Sequence, residues 1–570
     1  MNKVILFSLY TTIFYLSNRF IHVTRMSFDE IGSSVQFIPS LMNKLSTDFV
    51  DIPSFYHIDL IGALVVVLLL FVIFYARKRN GMNWRRGEEH GSARWGGQKD
   101  RKPFISKNPQ DRIILSQTEF LQLKESPKEP KYNRNKNVLI VGGAGSGKTR
   151  FYVKPNIAQM HSSYVVTDPK GTLLEETGEM LLEAGYKIKT LNLNNTKLSH
   201  RYNPFAYINS DSDILRFANA LIENTKGDGE KTDFWVKAEQ LFYIAMIALI
   251  HYEYEPHERN FESFIELLDH SEVDIESNVD IIFKTVEKRN PKHFAVRQYK
   301  KFKKAAGKSA SSILLSCGVR LSPFDIQEML DLTQFDELEL DTIGDEKTAL
   351  FIVASDNDTT FNFMAAIAYT QMFGLLIQKA DANPKHRLDI PVRFILDEFA
   401  NIGLIPNFDK IIAVIRSRHI SVNVILQSIS QLKTIYKNNY ETIIGNCDTT
   451  IFLGGKEEST KESLSKSLGK STIDVKTKGE SHSTHKSFSY NYQKVGRNLF
   501  DAAEIEQLDG GMCIVQIRGA APFLSKKYNV EKHPNYKLLN ENFDKPFNIS
   551  QILQSNLIEL SDEQPITLVA

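Results

Sequence analysis

Lys148 and Thr149 close a glycine-rich turn in the run Asn137-Val-Leu-Ile-Val-Gly-Gly-Ala-Gly-Ser-Gly-Lys-Thr-Arg150. The spacing Gly142-x4-Gly147-Lys148-Thr149 is that of a phosphate-binding loop. Gly142, Gly143, Ala144, Gly145, Ser146 and Gly147 would aim backbone N–H groups inward, at dihedrals that a Cβ penalises. The positive end of the following helix adds to that attraction for phosphate. Lys148 would reach the β- and γ-phosphates, and the Thr149 hydroxyl would coordinate Mg²⁺. A second pair of chemical residues, Asp397-Glu398, ends the apolar run Val392-Arg-Phe-Ile-Leu396. Asp397 is suited to hold Mg²⁺ through water. Glu398 is suited to polarise a water aimed at the γ-phosphate, and side-chain alternation sends the two carboxylates different ways. Gln427 ends another apolar run, where a polar group can sense phosphate or hold that water. Arg416 and Arg418 lie on a predicted helix over 411–419; Arg416 is either an arginine finger for a neighbour's nucleotide or an ordinary surface arginine.

These residues need a sheet to hold them. Val138–Val141, Ser163–Thr167, Thr348–Ala354, Val392–Leu396, Ser421–Gln427 and Gly511–Ile517 read as strands. Apolar strands that end in polar residues fit a parallel sheet with its ligands at the carboxyl ends. Asp168 and Lys170 in Asp168-Pro-Lys-Gly171 belong either to that edge or to an ordinary turn. Between about 211 and 325 the texture turns helical, as in Asp213–Asn224 and Phe234–His251, which predicts an all-α domain inserted into an α/β fold. Phe234-Trp235 reads as helix core, and the basic stretch 288–308 either as a contact for DNA phosphates or as a solvated helix face. The stretch 455–497 is poor in apolar residues and reads as a mobile loop with some helix. Its His482-x-x-His485 pair reads as solvated.

The chain has 570 residues, 42 % apolar and 24 % charged, with a net charge of +1. That composition is globular and excludes a uniformly basic protein, so contact with nucleic acid requires a local basic surface. Cys317, Cys447 and Cys513 are too scattered for a zinc site or disulfide framework and suit a reducing compartment. Ile58–Tyr75 is apolar on every side and long enough to span a bilayer. Val4–Leu16 is a shorter apolar run, either a signal core or a membrane helix that extends to Val23 if Arg19 snorkels. Residues 77–102 hold nine Lys/Arg against three acids, so the positive-inside rule places everything after Tyr75 in the cytosol.

Together these features resemble one family, the type IV secretion coupling proteins or TraG-like ATPases of conjugation systems. The resemblance rests on the two amino-terminal apolar helices, His90-Gly-Ser-Ala-Arg-Trp95, the phosphate loop and Thr167-Asp-Pro-Lys-Gly171. Tyr202-Asn-Pro204, the helical insertion near Phe234-Trp235, Leu396-Asp-Glu-Phe399 and Gln427-Ser-Ile-Ser-Gln431 continue it. Thr172 departs from it, where many relatives carry an acid. The resemblance implies a membrane anchor over 1–76, a basic juxtamembrane linker and the start of the nucleotide domain over 77–136, a RecA-like nucleotide domain over 137–210 and 326–535, an all-α domain over 211–325 and a tail over 536–570. It also implies ATP and Mg²⁺ as cofactors, with Lys148, Glu398, Gln427 and a trans-acting Arg416 as the catalytic set. The implied partners are a relaxase with other relaxosome proteins, single-stranded DNA, secretion channel proteins, the membrane, and further copies in a homo-hexamer. The implied location is the cell membrane, crossed more than once, with the large body cytosolic. Two other readings stay open: an FtsK-type duplex DNA pump, and a nucleotide-gated receptor with little hydrolysis.

Overall fold

A computed structural model describes residues 3–31, 36–79, 85, 87–124, 127, 129–226, 234–271, 277–306, 309–481, 487–541 and 546–554. The chain forms two compact units, Met1–Glu89 and His90–Ala570.

In the first unit, helix Lys3–Ile31 is longer than the sequence pattern predicts. Arg19 faces the inside of this unit. It is buried and donates to the carbonyls of Phe49 (3.1 Å) and Ile52 (3.0 Å), where three backbone oxygens offer better partners than apolar neighbours do. Asn18 pairs with the Ser54 backbone in both directions. The segment between the two apolar runs contains a further helix, Phe37–Thr47. Among the described residues, two helices are long and apolar enough to cross a bilayer by length and composition, His57–Arg77 and Phe234–Glu253. The second is mostly buried and is a core helix of the other unit.

The second unit is built on a nine-stranded sheet. In chain order its strands are β3 (Val138–Val141), β4 (Ser163–Thr167), β5 (Lys187–Asn192), β6 (Thr348–Val353), β7 (Val392–Leu396), β8 (Ile420–Leu426), β9 (Thr449–Phe452), β12 (Met512–Ile517) and β13 (Phe523–Lys526). Two small hairpins supply β1 (Arg112–Ile114) with β2 (Phe120–Gln122), and β10 (Lys470–Ser481) with β11 (Ser487–Asn498). The spatial order is β13-β12-β9-β3-β8-β7-β4-β6-β5. All pairings from β9 through β5 are parallel; β12 and β13 are antiparallel. β3, β4, β6, β7 and β8 are buried along their whole length, which is why they read as unbroken apolar runs. Alternate residues feed two cores: Leu139 and Val141 face one, Val138 and Ile140 the other.

Among the described residues, seven α-helices between Asp211 and Thr333 separate β5 from β6 in sequence, although the two strands are neighbours in the sheet. Ser210, Asn260 and Ser277 cap three of them by accepting backbone N–H groups. Phe234 and Trp235 are exposed at a helix start, not core as the sequence pattern suggests. The basic stretch after 288 pairs with acids on nearby helices: Arg289 with Glu253, Lys300 with Glu287 and Lys303 with Asp280.

Three connecting segments differ from the sequence reading. Residues 90–96 do not form a free linker: Ala93 N donates to Lys470 O (2.9 Å), and Trp95 packs edge-on against Phe500. Residues 455–497 form helix Glu458–Leu468 and the β10–β11 ribbon, because cross-strand pairing satisfies backbone groups that few apolar side chains could bury. His482 and His485 lie outside the described residues. Past residue 535, Phe547 and Ile549 pack on helix Thr172–Glu183.

Candidate active site

The site lies at the carboxyl edge of the parallel strands. After β3 the chain turns sharply: Gly145 and Gly147 take positive φ (+72° and +82°). A Cβ on Gly147 would sit 2.4 Å from the Phe151 ring, so only glycine fits there. Gly142 N donates to Leu426 O (3.0 Å) and Gly143 N to Gly454 O (2.8 Å), which pins the loop between β8 and the end of β9. Lys148 Nζ donates to Gly142 O (3.0 Å) and lies 3.3 Å from Glu398 Oε1. Thr149 starts a π-turn that continues into Lys154–Ile157.

The acids arrive from β7, two strands away, with β8 in between. Asp397 Oδ2 accepts from Thr149 Oγ1 (3.0 Å). Glu398 has φ +50°, outside the strand. This left-handed turn, not strand alternation, sends its carboxylate away from Asp397 and toward Lys148. Gln427, at the end of β8, donates through Nε2 to Glu398 Oε2 (3.1 Å). Lys148, Thr149, Asp397, Glu398 and Gln427 therefore form one bonded constellation assembled from three strands.

Burial raises the Asp397 carboxyl to about 6, and the Glu398 charge pushes the same way; the Thr149 hydroxyl and Lys148 oppose them. Asp168 follows β4, with its preceding residue Thr167 opposite Leu396. Burial raises it to about 7; its bonds from the backbone of Leu174 and Leu173 oppose the rise, and the Asp397 charge adds to it. Asp168 caps the helix that Thr172 begins, while Lys170 is exposed. The Asp397 carboxylate with the Thr149 hydroxyl is the pair that could hold a divalent cation here. Among the described residues no group of three or more His, Cys, Asp or Glu forms a cage.

Arg416 is not brought to this constellation. It is exposed four residues before β8 begins, whereas Gln427 follows its end. Seven residues of strand put them about 23 Å apart along the sheet. Arg416 lies near Lys136, whose ammonium burial lowers to about 8, with the Arg416 charge adding to the effect. Arg418 pairs with Asp381 (2.8 Å).

Two supporting groups escape sequence reasoning. Lys527, beside β13, donates to Ser146 O (2.9 Å), and no motif marks it. Arg393, fully buried in β7, donates to Asn156 Oδ1 (3.1 Å) and Asn423 Oδ1 (3.0 Å). Tyr152 donates to the same Asn423 oxygen (2.6 Å), so this network ties the segment after the phosphate loop to β7 and β8. A charged residue inside an apolar strand was the available signal.

The family model described as "Type IV secretory system Conjugative DNA transfer" matches residues 102–545. The chain belongs to this family. Members similar to it include VirD4 of Agrobacterium fabrum (23 % identical over 475 residues, 78 % of this chain and 66 % of the relative). VirD4 of Rhizobium rhizogenes is 23 % identical over 494 residues, 82 % of this chain and 68 % of the relative. This chain thus spans about two thirds of the length of those family members. Among solved structures, the bacterial conjugative coupling protein TrwBdeltaN70 in its unbound form superposes with TM-score 0.54 at 16 % identity. That match covers 78 % of this chain and 97 % of TrwBdeltaN70. TrwB in complex with the ATP analogue ADPNP gives 0.55 at 16 % identity, covering 77 % and 94 %. TrwB with ADP and Mg²⁺ gives 0.54 at 16 % identity, covering 76 % and 93 %. At that identity the likeness establishes a shared P-loop α/β fold.

Proposed function

We propose that this chain is a membrane-anchored ATPase that couples ATP hydrolysis to conjugative DNA transfer through a type IV secretion channel. It would receive DNA–relaxase or protein substrates at the cytosolic face. The reading is supported by family membership and by the solved TrwB complexes with ADPNP and with ADP and Mg²⁺. The observation that carries the chemistry is the continuous contact Gln427–Glu398–Lys148 beside Thr149–Asp397.

In this reading the amides of residues 142–149 and Lys148 bind ATP phosphates. Thr149 and Asp397 would hold Mg²⁺, which when bound would supply neutralisation of the phosphate charge. Lys148 releases its contact with Glu398 and turns to the β- and γ-phosphates. Glu398 then orients and polarises the attacking water, and Gln427 fixes the Glu398 carboxylate. Arg416, remote from its own site, would act on the nucleotide of an adjacent protomer in a hexameric ring. Helix His57–Arg77 would supply a membrane span.

Glu398→Gln tests the assignment. Turnover should fall at least about a hundredfold, while ATP binding measured by equilibrium titration stays within a few fold. Hydrolysis at the wild-type rate would remove Glu398 from the chemistry.

A further inference from the structure

The β10–β11 ribbon has no counterpart in the phosphate chemistry. Its two strands are each 12 residues long, which makes an arm about 40 Å in length. Directly opposed residues share a face. One face therefore carries Lys476 opposite Tyr492, Lys478 opposite Tyr490 and Asp474 opposite Lys494. Tyr490 is 54 % and Tyr492 is 70 % exposed, an unusual exposure for rings outside a binding surface. The Lys476 ammonium lies 4.2 Å from the Tyr490 ring centroid and 5.4 Å from that of Tyr492. The two strands hold Lys470, Lys476, Lys478, Lys494 and Arg497 against Asp474 and Glu480; Arg497, on the opposite face, pairs with Glu504 (2.6 Å) and is not part of the surface. The whole chain is only +1, so the ribbon is a local basic surface.

We propose that this ribbon face binds single-stranded DNA, with Tyr490 and Tyr492 as stacking platforms and the lysines against the backbone. The two rings stand about 7 Å apart along the strand, with room for one base on each. Exposed aromatics with cations beside them suit bases that are unstacked and free, which duplex DNA does not offer. A protein partner fits less well, because lysine is depleted from the centre of protein interfaces.

The root of the arm touches the active site. Gly143 N of the phosphate loop donates to Gly454 O (2.8 Å). At the turn after Gln427, Ile429 N donates to Thr460 Oγ1 (3.1 Å). Helix Glu458–Leu468 starts between these two contacts and runs directly into β10. The far end of β11 returns to the same helix, where Asn498 Nδ2 donates to Ser465 Oγ (3.2 Å). The phosphate loop and the turn after Gln427 are thus each one hydrogen bond from the root of the ribbon. This inference rests on the nucleotide reading for its coupling, but its DNA contact stands separately.

The test uses the full chain in detergent micelles and a fluorescein-labelled oligothymidine. In anisotropy titrations, Tyr490→Ala with Tyr492→Ala should weaken binding at least about tenfold, and the Tyr→Phe pair should stay close to wild type. Mg–ADP should raise Tm equally in wild type and variant, which shows that the fold and nucleotide site persist. Unchanged oligothymidine affinity overturns the proposal. A smaller assembly by light scattering with unchanged affinity per protomer also overturns it, and makes the ribbon a subunit contact. If Mg–ADP fails to protect even the wild type, the nucleotide reading falls, and the anisotropy result still decides the ribbon.

Discussion

Glu398 occupies a left-handed conformation that costs a non-glycine residue on the order of 1 kcal/mol. The contacts with Lys148 and Gln427 offset that strain and direct the carboxylate at the site. Other single residues record the cost of burial. His200 and His533 are buried, and burial lowers each from 6.5 to about 4. The folded chain keeps both neutral, whereas the unfolded chain protonates them below pH 6.5. Their stabilising contribution is therefore complete above pH 6.5 and is lost as pH falls toward 4. His533 accepts from Asn535 N at Nδ1 (3.1 Å) and faces Gln159 Oε1 through Nε2 (3.2 Å). A glutamine can donate to Gln159 without titrating. His533→Gln should lessen the acid sensitivity, seen as a shallower fall of Tm between pH 7 and pH 4.5. A slope identical to wild type would mean that His533 does not sense this pH range.

At the scale of elements, the helices between Asp211 and Thr333 hold a buried ion pair. Arg320 Nε donates to Glu239 Oε2 (2.7 Å), and both side chains are almost fully enclosed. It joins helix Phe234–Glu253 to helix Ala310–Leu321. Removing one partner strands a charge in the interior. Glu239→Ala should cost about 3–5 kcal/mol, whereas the double change Glu239→Leu with Arg320→Met should recover most of it. Thermal unfolding followed by circular dichroism checks both; equal losses in the two variants would show that the site cannot repack. In the sheet, the position of β8 between β3 and β7 is the element that matters for chemistry. It sets Gln427 between the phosphate loop and the acids, and its neighbours bury both of its faces.

At the scale of the whole molecule, one sheet has two chemically different edges. The carboxyl edge carries Lys148, Asp397, Glu398 and Gln427; the amino edge carries exposed Arg416 near Lys136 and Arg134. If copies associate head to tail, the amino edge of one meets the carboxyl edge of the next. Two inactive variants, Lys148→Ala and Arg416→Ala, should then complement when mixed. Random assembly restores an intact loop facing an intact arginine at about a quarter of the interfaces, so steady-state ATPase should recover to a similar fraction. No recovery in assemblies shown to contain both variants would place the action of Arg416 within its own chain or outside catalysis.

The sequence by itself determined the strand-borne motifs, because each is local. A glycine pattern after an apolar strand, and acids at the end of another, report conformations fixed within a few residues. The helical texture after Asp211 was legible for the same reason, since periodicity is a nearest-turn property. Tertiary structure alone decided which strands are neighbours, because strand order depends on contacts between residues hundreds of positions apart. It alone enlisted Lys527, Arg393 and Gly454, whose roles come from distant backbone oxygens and amides. It also turned the polar stretch 455–497 into a helix and a ribbon: its stability comes from cross-strand hydrogen bonds and a braced root, which hydrophobic patterning does not encode.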